Sequence, residues 1–219
     1  MCGRYAAFLP PDELRRVFAT VNPLPNIGPN WNVAPTHMAP VVRLHPRERQ
    51  RHLDPLRWGL VPYRAKDVKS ARQPINARAE SAADSRLFRD ALAARRCLVP
   101  ADAFYEWQAA PGGKQPYAIA RADGQPMALA GLWESWRAPD GSLLRSYVIL
   151  TTEASEALRA LHERMPVILE PEDWPLWLGE VAGDYLALLR PSRAALRVWP
   201  VGQAVNNVRN EGAELLKPA

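Results

Sequence analysis

The sequence predicts an α+β fold built on an antiparallel, barrel-like β-sheet with short flanking helices. Segments with strand character and segments with helical spacing do not alternate regularly, which argues against a doubly wound parallel sheet. The candidate strands are short and apolar, and 22 prolines among 219 residues interrupt helices frequently. We find no internal repeat, low-complexity tract or linker. We therefore expect one domain over residues 1–219.

The first helix is predicted where residues 10–13 place two prolines and two acidic residues together, as at a helix start. Leu14, Val17 and Phe18 follow at the spacing of one buried helical face. Residues 21–35 are rich in Pro, Asn and Gly and predict a loop. Strands are then expected over residues 38–44 and 52–60, followed by a basic loop over residues 63–75.

A longer helix is predicted from Ser81 to about Arg96, because Ser81 and Asp84 have the spacing of a capping box. Residues 117–121 and 127–133 flank an Asp-Gly turn and predict a hairpin. Further short strands are expected at residues 97–99, 103–107, 147–152 and 167–169, with helices near residues 155–162, 171–174 and 184–189.

The composition is that of a globular protein, with 47% apolar and 23% charged residues. No apolar run reaches the roughly 18–20 residues of a membrane span, and no secretory signal is visible. Cys2 and Cys97, the two cysteines, are too few for a disulfide framework or a CxxC zinc site. We therefore expect a cytoplasmic protein without membrane contact.

The formal net charge is +5, and all but four of the 28 basic residues are arginine. Arginine suits phosphate because its planar guanidinium donates hydrogen bonds in pairs. Codon bias in a GC-rich genome explains the same excess equally well. The position of each arginine must therefore decide which of them bind a polyanion.

Cys2 follows the initiator methionine, which is commonly removed before a small residue. Removal of Met1 would leave one residue with both a free α-amine and a thiol. The α-amine titrates near pH ~7.7–8.0, so it is partly neutral and nucleophilic at neutral pH. It can form a Schiff base with an aldehyde, and the thiol can then close onto the same carbon as a five-membered thiazolidine. The alternative is that Cys2 merely follows the start codon.

Six short blocks with distinctive residues follow one another between residues 1 and 166. They are Met1-Cys2-Gly3-Arg4-Tyr5, Asn32-Val33-Ala34-Pro35, Trp58-Gly59-Leu60-Val61-Pro62, Ile75-Asn76-Ala77-Arg78-Ala79-Glu80, Phe104-Tyr105-Glu106-Trp107 and Leu161-His162-Glu163-Arg164-Met165-Pro166. In this order they resemble the signature of the SOS response-associated peptidase (SRAP) family, whose members sense abasic sites in single-stranded DNA. The segment of residues 205–212 also matches, so the resemblance covers nearly the whole chain.

The resemblance implies a role for each of four residues. Cys2, exposed by loss of Met1, would cross-link to C1′ of the ring-opened abasic sugar and shield the lesion from strand cleavage. Asn76 would hold the Cys2 end by hydrogen bonds, and Glu106 would move protons during ring opening and Schiff-base formation. His162 would act as an acid or base near the sugar oxygen or the leaving phosphate.

The same residue types have plainer interpretations when they are taken one at a time. Asn76 could cap a turn, and Glu106 could lie on the solvated face of its strand. His162 could complement the dipole at the end of a helix. A semi-buried carboxylate or imidazole in a cleft, by contrast, suits general acid–base catalysis.

Contact with DNA is expected from arginines in or near the blocks: Arg4, Arg78, Arg86 and Arg164. Phosphate contacts of this kind carry no sequence information and are sensitive to salt. Trp58 and Trp107 could stack against bases, although core packing is the alternative for both. The loop of residues 63–75 is either a DNA-facing rim or simply solvated.

We expect no metal and no cofactor. His37, His45 and His52 show no ligand spacing and no pattern of carboxylate partners, and no Gly-rich phosphate loop is present. Cys97 is interpreted as a buried strand cysteine. The expected partner is single-stranded DNA with an abasic site, bound by a monomer, and bound protein would be associated with the nucleoid.

Two other classes of protein compete with this interpretation. An N-terminal-nucleophile amidohydrolase can also begin with Met-Cys-Gly, its thiol attacking an amide while the α-amine acts as base. Such an enzyme would need an oxyanion hole and layered sheets, but no arginines that face phosphate. A non-catalytic nucleic-acid-binding module would be supported by the basic charge alone.

Overall fold

A computed structural model describes residues 2–219. Its strands are β1 Tyr5–Ala7, β2 Asn30–Val33, β3 Met38–Leu44, β4 Arg51–Trp58, β5 Asn76–Arg78, β6 Arg96–Ala101, β7 Ala103–Ala110, β8 Gly113–Arg121, β9 Met127–Arg137, β10 Leu143–Glu153, β11 Arg164–Pro166, β12 Ile168–Leu169 and β13 Leu196–Pro200. Its α-helices are α1 Pro11–Phe18, α2 Ala79–Ala82, α3 Arg89–Ala94, α4 Glu156–Arg159 and α5 Trp174–Leu178. Short 3₁₀ turns cover Pro171–Asp173, Tyr185–Leu188, Gln203–Asn206 and Ala213–Leu216. In residues 2–219 no helix is both long and apolar enough to span a membrane.

Five strands close into a barrel. Strand β10 pairs with β4, β4 with β3, β3 with β6 and β6 with β9, and β9 returns to β10. Strands β5 and β11 extend the sheet beside β10, and β12 extends it beside β9. The predicted α+β class with a barrel-like sheet is confirmed. The sheet is mixed rather than purely antiparallel, because β4 and β5 both run parallel to β10.

A second sheet of five antiparallel strands packs beside the barrel in the order β13-β8-β7-β1-β2. The short strand β1 lies between β7 and β2, and Tyr5 pairs with Phe104 on one side and Val33 on the other. Because Cys2 lies three residues before Tyr5, this pairing fixes where the N-terminal segment meets the rest of the protein. Strand β7, which pairs with β1, also carries Glu106. The sequence block of residues 1–5 and the block of residues 104–107 are therefore adjacent in the structure.

Three aromatic side chains lock β1 against the barrel. Tyr5, Trp58 and Tyr147 are fully buried, and the Tyr5 hydroxyl hydrogen-bonds the Tyr147 hydroxyl. The Tyr5 and Trp58 rings meet edge to face at 5.2 Å, and the Trp58 and Tyr147 rings stack at 6.4 Å. Full burial of one large apolar side chain contributes roughly 1.5–3 kcal/mol. This cluster therefore holds the chain firmly just after Cys2.

The C-terminal segment is tied to β2 through Asn32. This fully buried side chain donates from Nδ2 to the carbonyls of Asn207 (3.0 Å) and Asn210 (2.9 Å), with a longer bond to Val205 (3.4 Å). The Asn32 block and the residue 205–212 segment were separate features of the sequence. In the structure, the Asn32 side chain anchors the C-terminal segment.

The prediction of one helix from Ser81 to Arg96 is wrong. Helix α2 ends at Ala82, α3 begins at Arg89, and a turn separates them. At this turn the Ser85 hydroxyl accepts a hydrogen bond from the Leu87 amide. Serine side chains compete with helical hydrogen bonds in this way. Arg86 consequently lies in an exposed turn and not on a helix.

The predicted hairpin of residues 117–133 is also wrong, although both strands exist. Strand β8 pairs with β7 and β13, whereas β9 pairs with β6, β10 and β12 in the other sheet. The Asp-Gly turn is therefore a connection between sheets. An alternating pattern defines strand character but does not specify the partner strand.

Candidate functional site

Asn76 holds the main chain of Cys2. Its side-chain Nδ2 donates to the Cys2 carbonyl at 2.6 Å, across 74 residues of sequence. Asn76 can do so because β5 lies parallel to β10, where Asn76 pairs with Ile149. The Cys2 side chain is fully buried, and its Sγ contacts the carbonyl of Arg4 at 3.6 Å.

A cleft of about 960 Å³ opens beside this segment. Gly3, Glu106 and His162 line one part of it, so three of the six sequence blocks meet there. The rest of the lining comes from the N-terminal segment, from β7, β8 and the turn between them, and from the C-terminal segment, namely Arg4, Trp107, Ala110, Pro111, Gly112, Gly113, Lys114, Gln115, Gln203 and Asn206.

Glu106 lies in β7 with only 4% of its surface exposed. Burial raises the pKa of the Cys2 thiol far above its usual range, and the negative charge of Glu106 raises it further. The thiol is therefore protonated at neutral pH in this conformation. The same effect shows that Glu106 lies close enough to Cys2 to act on it electrostatically.

His162 follows α4, and its backbone amide donates to the carbonyl of Leu158 at 2.9 Å. Its ring Nδ1 accepts a hydrogen bond from the backbone amide of Arg164 at 2.8 Å. A neutral imidazole with Nδ1 as acceptor carries its proton on Nε2. The backbone thus fixes a tautomer in which Nε2 is a proton donor, and the side chain borders the cleft.

Arg4 and Trp107 form the basic and aromatic part of the lining. Arg4 Nη1 donates to Asn32 Oδ1 (2.8 Å) and to the Val205 carbonyl (2.9 Å), and its guanidinium lies 5.9 Å from the Trp107 ring centre. Burial lowers the Arg4 pKa, but a guanidinium remains charged at neutral pH. Trp107 is partly exposed and donates through Nε1 to Asn206 Oδ1 at 2.7 Å.

One predicted DNA contact does not fit the structure, and a second predicted contact residue is engaged within the protein. Trp58 is fully buried, and its Nε1 donates to the Ile75 carbonyl at 2.9 Å, so its ring is not available for stacking on a base. Arg164 binds both carboxylate oxygens of Glu80 at 2.9 Å and also donates to the Thr151 carbonyl. Its guanidinium thus joins α2, β10 and β11 in this structure, and the contact of Arg164 with phosphate stays a prediction.

Arg78 and Arg86 are exposed. Arg78 follows Asn76 by two positions in β5, so both side chains extend from the same face of the strand. This places a solvated cation close to the residue that holds Cys2. Arg86 lies in the turn after α2 and does not line the cleft.

Sequence reasoning missed several cleft residues. Gly112 has a φ of 84° and Gly113 a φ of 150°, values that favour glycine and let the β7–β8 turn close tightly beside Lys114. Pro111-Gly112-Gly113 has the composition of a turn, but nothing in the sequence places that turn over the site. Gln203 and Asn206 come from a segment without periodicity, so their position depends on the Asn32 anchor.

The expectation that His45 and His52 lack a carboxylate partner is wrong. These histidines and Glu48 can each offer one ligand atom, and the three atoms lie within 4.8 Å of one another. The strand pairing of β3 with β4 brings the residues together. This cluster contains none of the residues that line the cleft.

Fold and site together define a class: an α+β barrel protein with a buried cysteine next to a cleft that a carboxylate, an imidazole and basic side chains line. Comparison with known proteins identifies the family. The family model for SOS response associated peptidase (SRAP) matches residues 1–208. This chain therefore belongs to the SRAP family.

The curated bacterial relatives match over nearly their whole length. The chain is 37% identical to "Abasic site processing protein YoqW" of Bacillus subtilis, covering 99% of each chain. It is 35% identical to "Abasic site processing protein YedK" of Escherichia coli, covering 100% of each. Identity to "Abasic site processing protein HMCES" of Mus musculus is 33%, covering 100% of this chain and 76% of that one.

Solved structures share the fold. A Bacteroides thetaiotaomicron protein superposes with a TM-score of 0.88 over the full length of both chains at 18% identity, a likeness that concerns the fold alone. A Bordetella bronchiseptica protein superposes with a TM-score of 0.77 at 31% identity, covering 92% of this chain and 100% of that chain.

Proposed function

We propose that this protein processes abasic sites in single-stranded DNA by forming a covalent cross-link through Cys2. The observation that carries the proposal is the 2.6 Å hydrogen bond from Asn76 to the Cys2 carbonyl, beside a cleft lined by Glu106 and His162. Family membership and relatives named as abasic site processing proteins support the same conclusion.

The proposed chemistry begins after loss of Met1, which lies outside the described residues. The α-amine of Cys2 adds to the aldehyde carbon C1′ of the ring-opened sugar, and loss of water leaves a C=N bond. The thiol then adds to the same carbon, its proton passes to nitrogen, and a thiazolidine closes. One water is released, and nothing is oxidised or reduced.

We assign proton transfer in these steps to Glu106 and His162. Opening the sugar ring moves a proton between two oxygens, and loss of water needs an acid. The tautomer of His162 supplies a donor at Nε2, and Glu106, whose charge acts on the Cys2 thiol, is the base assigned to that thiol. Because the thiol is protonated in the buried state, closure of the thiazolidine ring requires a nearby base.

Binding of the strand is assigned to Arg4, Lys114 and the exposed Arg78, with Trp107 as a stacking surface. All of these groups come from one chain, so the proposed acting form is a monomer. We place the activity in the cytoplasm, at the nucleoid.

Lyase chemistry on the strand and self-removal of Met1, the peptidase activity that the family name suggests, belong to the same proposal, because both would use the Cys2 end and its acid–base pair.

The test is a denaturing gel with a single-stranded oligonucleotide that contains one abasic site, beside an intact oligonucleotide. Protein verified by mass spectrometry to begin at Cys2 should give a band that survives boiling only with the lesion. Cys2→Ala should abolish that band, whereas Cys97→Ala, which removes the other buried cysteine, should retain it. Absence of the band from verified protein, or release of ammonia from glutamine instead, would favour the amidohydrolase class.

A further inference from the structure

The tip of the β3–β4 hairpin gathers two imidazoles and a carboxylate far from the cleft. Leu44 pairs with Arg51 and Arg43 with His52, and the His45 amide donates to the Gln50 carbonyl at 2.8 Å. His45 and His52 are thus diagonal neighbours on antiparallel chains, a relation that brings side chains together. Their rings stack with centres 4.5 Å apart.

Glu48 completes the group from the turn. Its Oε2 lies 2.8 Å from His52 Nε2, and its Oε1 lies 3.6 Å from His45 Nδ1. The Glu48 side chain is 54% exposed and can rotate, whereas the His52 side chain is 11% exposed and held in the strand. One fixed imidazole, one partly buried imidazole and one adjustable carboxylate therefore lie side by side, and His45 Nδ1 accepts a hydrogen bond from the Glu48 backbone amide at 3.2 Å that a bound ion would replace.

We propose that His45, Glu48 and His52 form a binding site for a divalent transition metal ion, with Zn²⁺ as the ion it takes. Imidazole and carboxylate are ligands that Zn²⁺ accepts, with bonds of roughly 2.0–2.2 Å. Ligand atoms around such an ion lie about 3.3 Å apart, a spacing that small side-chain rotations reach from the present arrangement, in which the three lie within 4.8 Å. Water completes the coordination.

Two of the arginines around the hairpin are paired with carboxylates. Arg43 pairs with Asp54 at 2.6 Å, and Arg51 pairs with Glu180 at 2.6 Å. Arg47 and Arg49 are exposed in the turn and Arg145 lies near Arg43, and at these positions solvent and salt screen the positive charge. The carboxylate of Glu48 therefore provides the local negative charge that a cation meets first.

A metal ion bound here would stabilise the β3–β4 hairpin and would leave the cross-linking reaction in the cleft unchanged. His52 and Trp58 are six residues apart in β4, a distance of roughly 20 Å along a strand, and Trp58 is the β4 residue that packs beside Tyr5. The ion would link the end of β3, the turn and the start of β4. The expected consequence is a higher melting temperature and no change in cross-linking.

The test is titration of untagged, chelator-treated protein with Zn²⁺ by calorimetry, and with Co²⁺ by visible absorption. We expect one ion per chain, the absorption of a coordinated Co²⁺, and a rise in Tm of about 5 °C at a hundredfold excess over the dissociation constant. Glu48→Gln and His45→Ala, both at solvent-accessible positions, should each weaken binding at least about tenfold, whereas His37→Ala should not.

Two outcomes would overturn the proposal. One is the absence of saturable binding at metal concentrations up to about 0.1 mM, a range that a three-ligand protein site reaches with ease. The other is binding that survives Glu48→Gln and His45→Ala but is lost in Cys2→Ala, because the aminothiol with Glu106 and His162 would then be the ligand set. Measurement of cross-linking in the same samples keeps this test separate from that of the proposed function.

Discussion

The side-chain amide of Asn76 and the main-chain carbonyl of Cys2 are joined by a 2.6 Å hydrogen bond. The bond links the barrel to the N-terminal segment, and it uses the Cys2 carbonyl, not the thiol or the nitrogen that would become the α-amine after loss of Met1. Asn76 therefore positions the candidate nucleophile without consuming its reactive groups.

Replacement of Asn76 should slow cross-linking more than it weakens binding. Loss of a buried hydrogen bond of this kind costs about 1–3 kcal/mol, so Asn76→Ala should lower the cross-linking rate by roughly one to two orders of magnitude. Single-turnover kinetics with an abasic oligonucleotide would measure the rate, and fluorescence anisotropy the affinity. Asn207→Ala, which removes an exposed amide elsewhere, is the matched control. Equal losses of rate and affinity would contradict a positioning role.

Replacement of Cys2 should abolish the cross-link but leave the affinity for single-stranded DNA. We expect Cys2→Ala to retain salt-sensitive affinity for single-stranded DNA, because Arg4, Lys114 and Arg78 are unchanged. Anisotropy at several salt concentrations would measure this directly. If affinity disappeared together with the cross-link, the assignment of strand binding to the basic residues would be incorrect.

Arg78→Ala should weaken binding about equally for oligonucleotides of different sequence. A single phosphate contact should also reduce the slope of log affinity against log salt by about 0.7 for a single strand. Arg16→Ala removes an exposed arginine from α1 and should leave both quantities unchanged. A loss confined to particular sequences would indicate contact with bases.

The ion pair between Arg164 and Glu80 gives a pH-dependent prediction. Hydrogen bonds from Arg164 lower the Glu80 pKa in the folded state, so the pair stabilises the protein above the unfolded pKa of about 4.3. That contribution is lost as the pH falls through the lowered folded value. Glu80 is largely exposed, so Glu80→Gln should cost less than about 1 kcal/mol at pH 7. Urea denaturation of both proteins at pH 7 and near pH 3 should show this difference disappearing at the lower pH.

Asn32 gives a prediction about the C-terminal segment. Asn32→Ala leaves the carbonyls of Asn207 and Asn210 without their buried donor, at a cost of roughly 1–3 kcal/mol. Limited proteolysis should then cut within residues 203–219 earlier than in the wild-type protein. An unchanged cleavage rate would show that other contacts hold this segment.

The sequence by itself determined the fold class, most strand positions and the identity of the candidate chemistry. Strand β3 was predicted with its observed bounds, and α1 with its proline start, because local periodicity and turn residues specify such elements. The blocks around Cys2, Asn76, Glu106 and His162 were distinctive enough to indicate the family. An aminothiol, a carboxylate and an imidazole suggest their chemistry from residue type alone.

Only the tertiary structure decided which of these residues meet and which cannot act. Strand pairing is non-local, so the sequence could not show that β8 and β9 enter different sheets, or that Asn32 anchors residues 205–210. Burial makes the Trp58 ring unavailable for stacking, and a bidentate pair with Glu80 engages the Arg164 guanidinium. The register of β3 against β4 brought His45 and His52 to Glu48. In each case the deciding quantity was a contact between segments distant in sequence or a burial that such contacts create, and neither is encoded in the local pattern of residues.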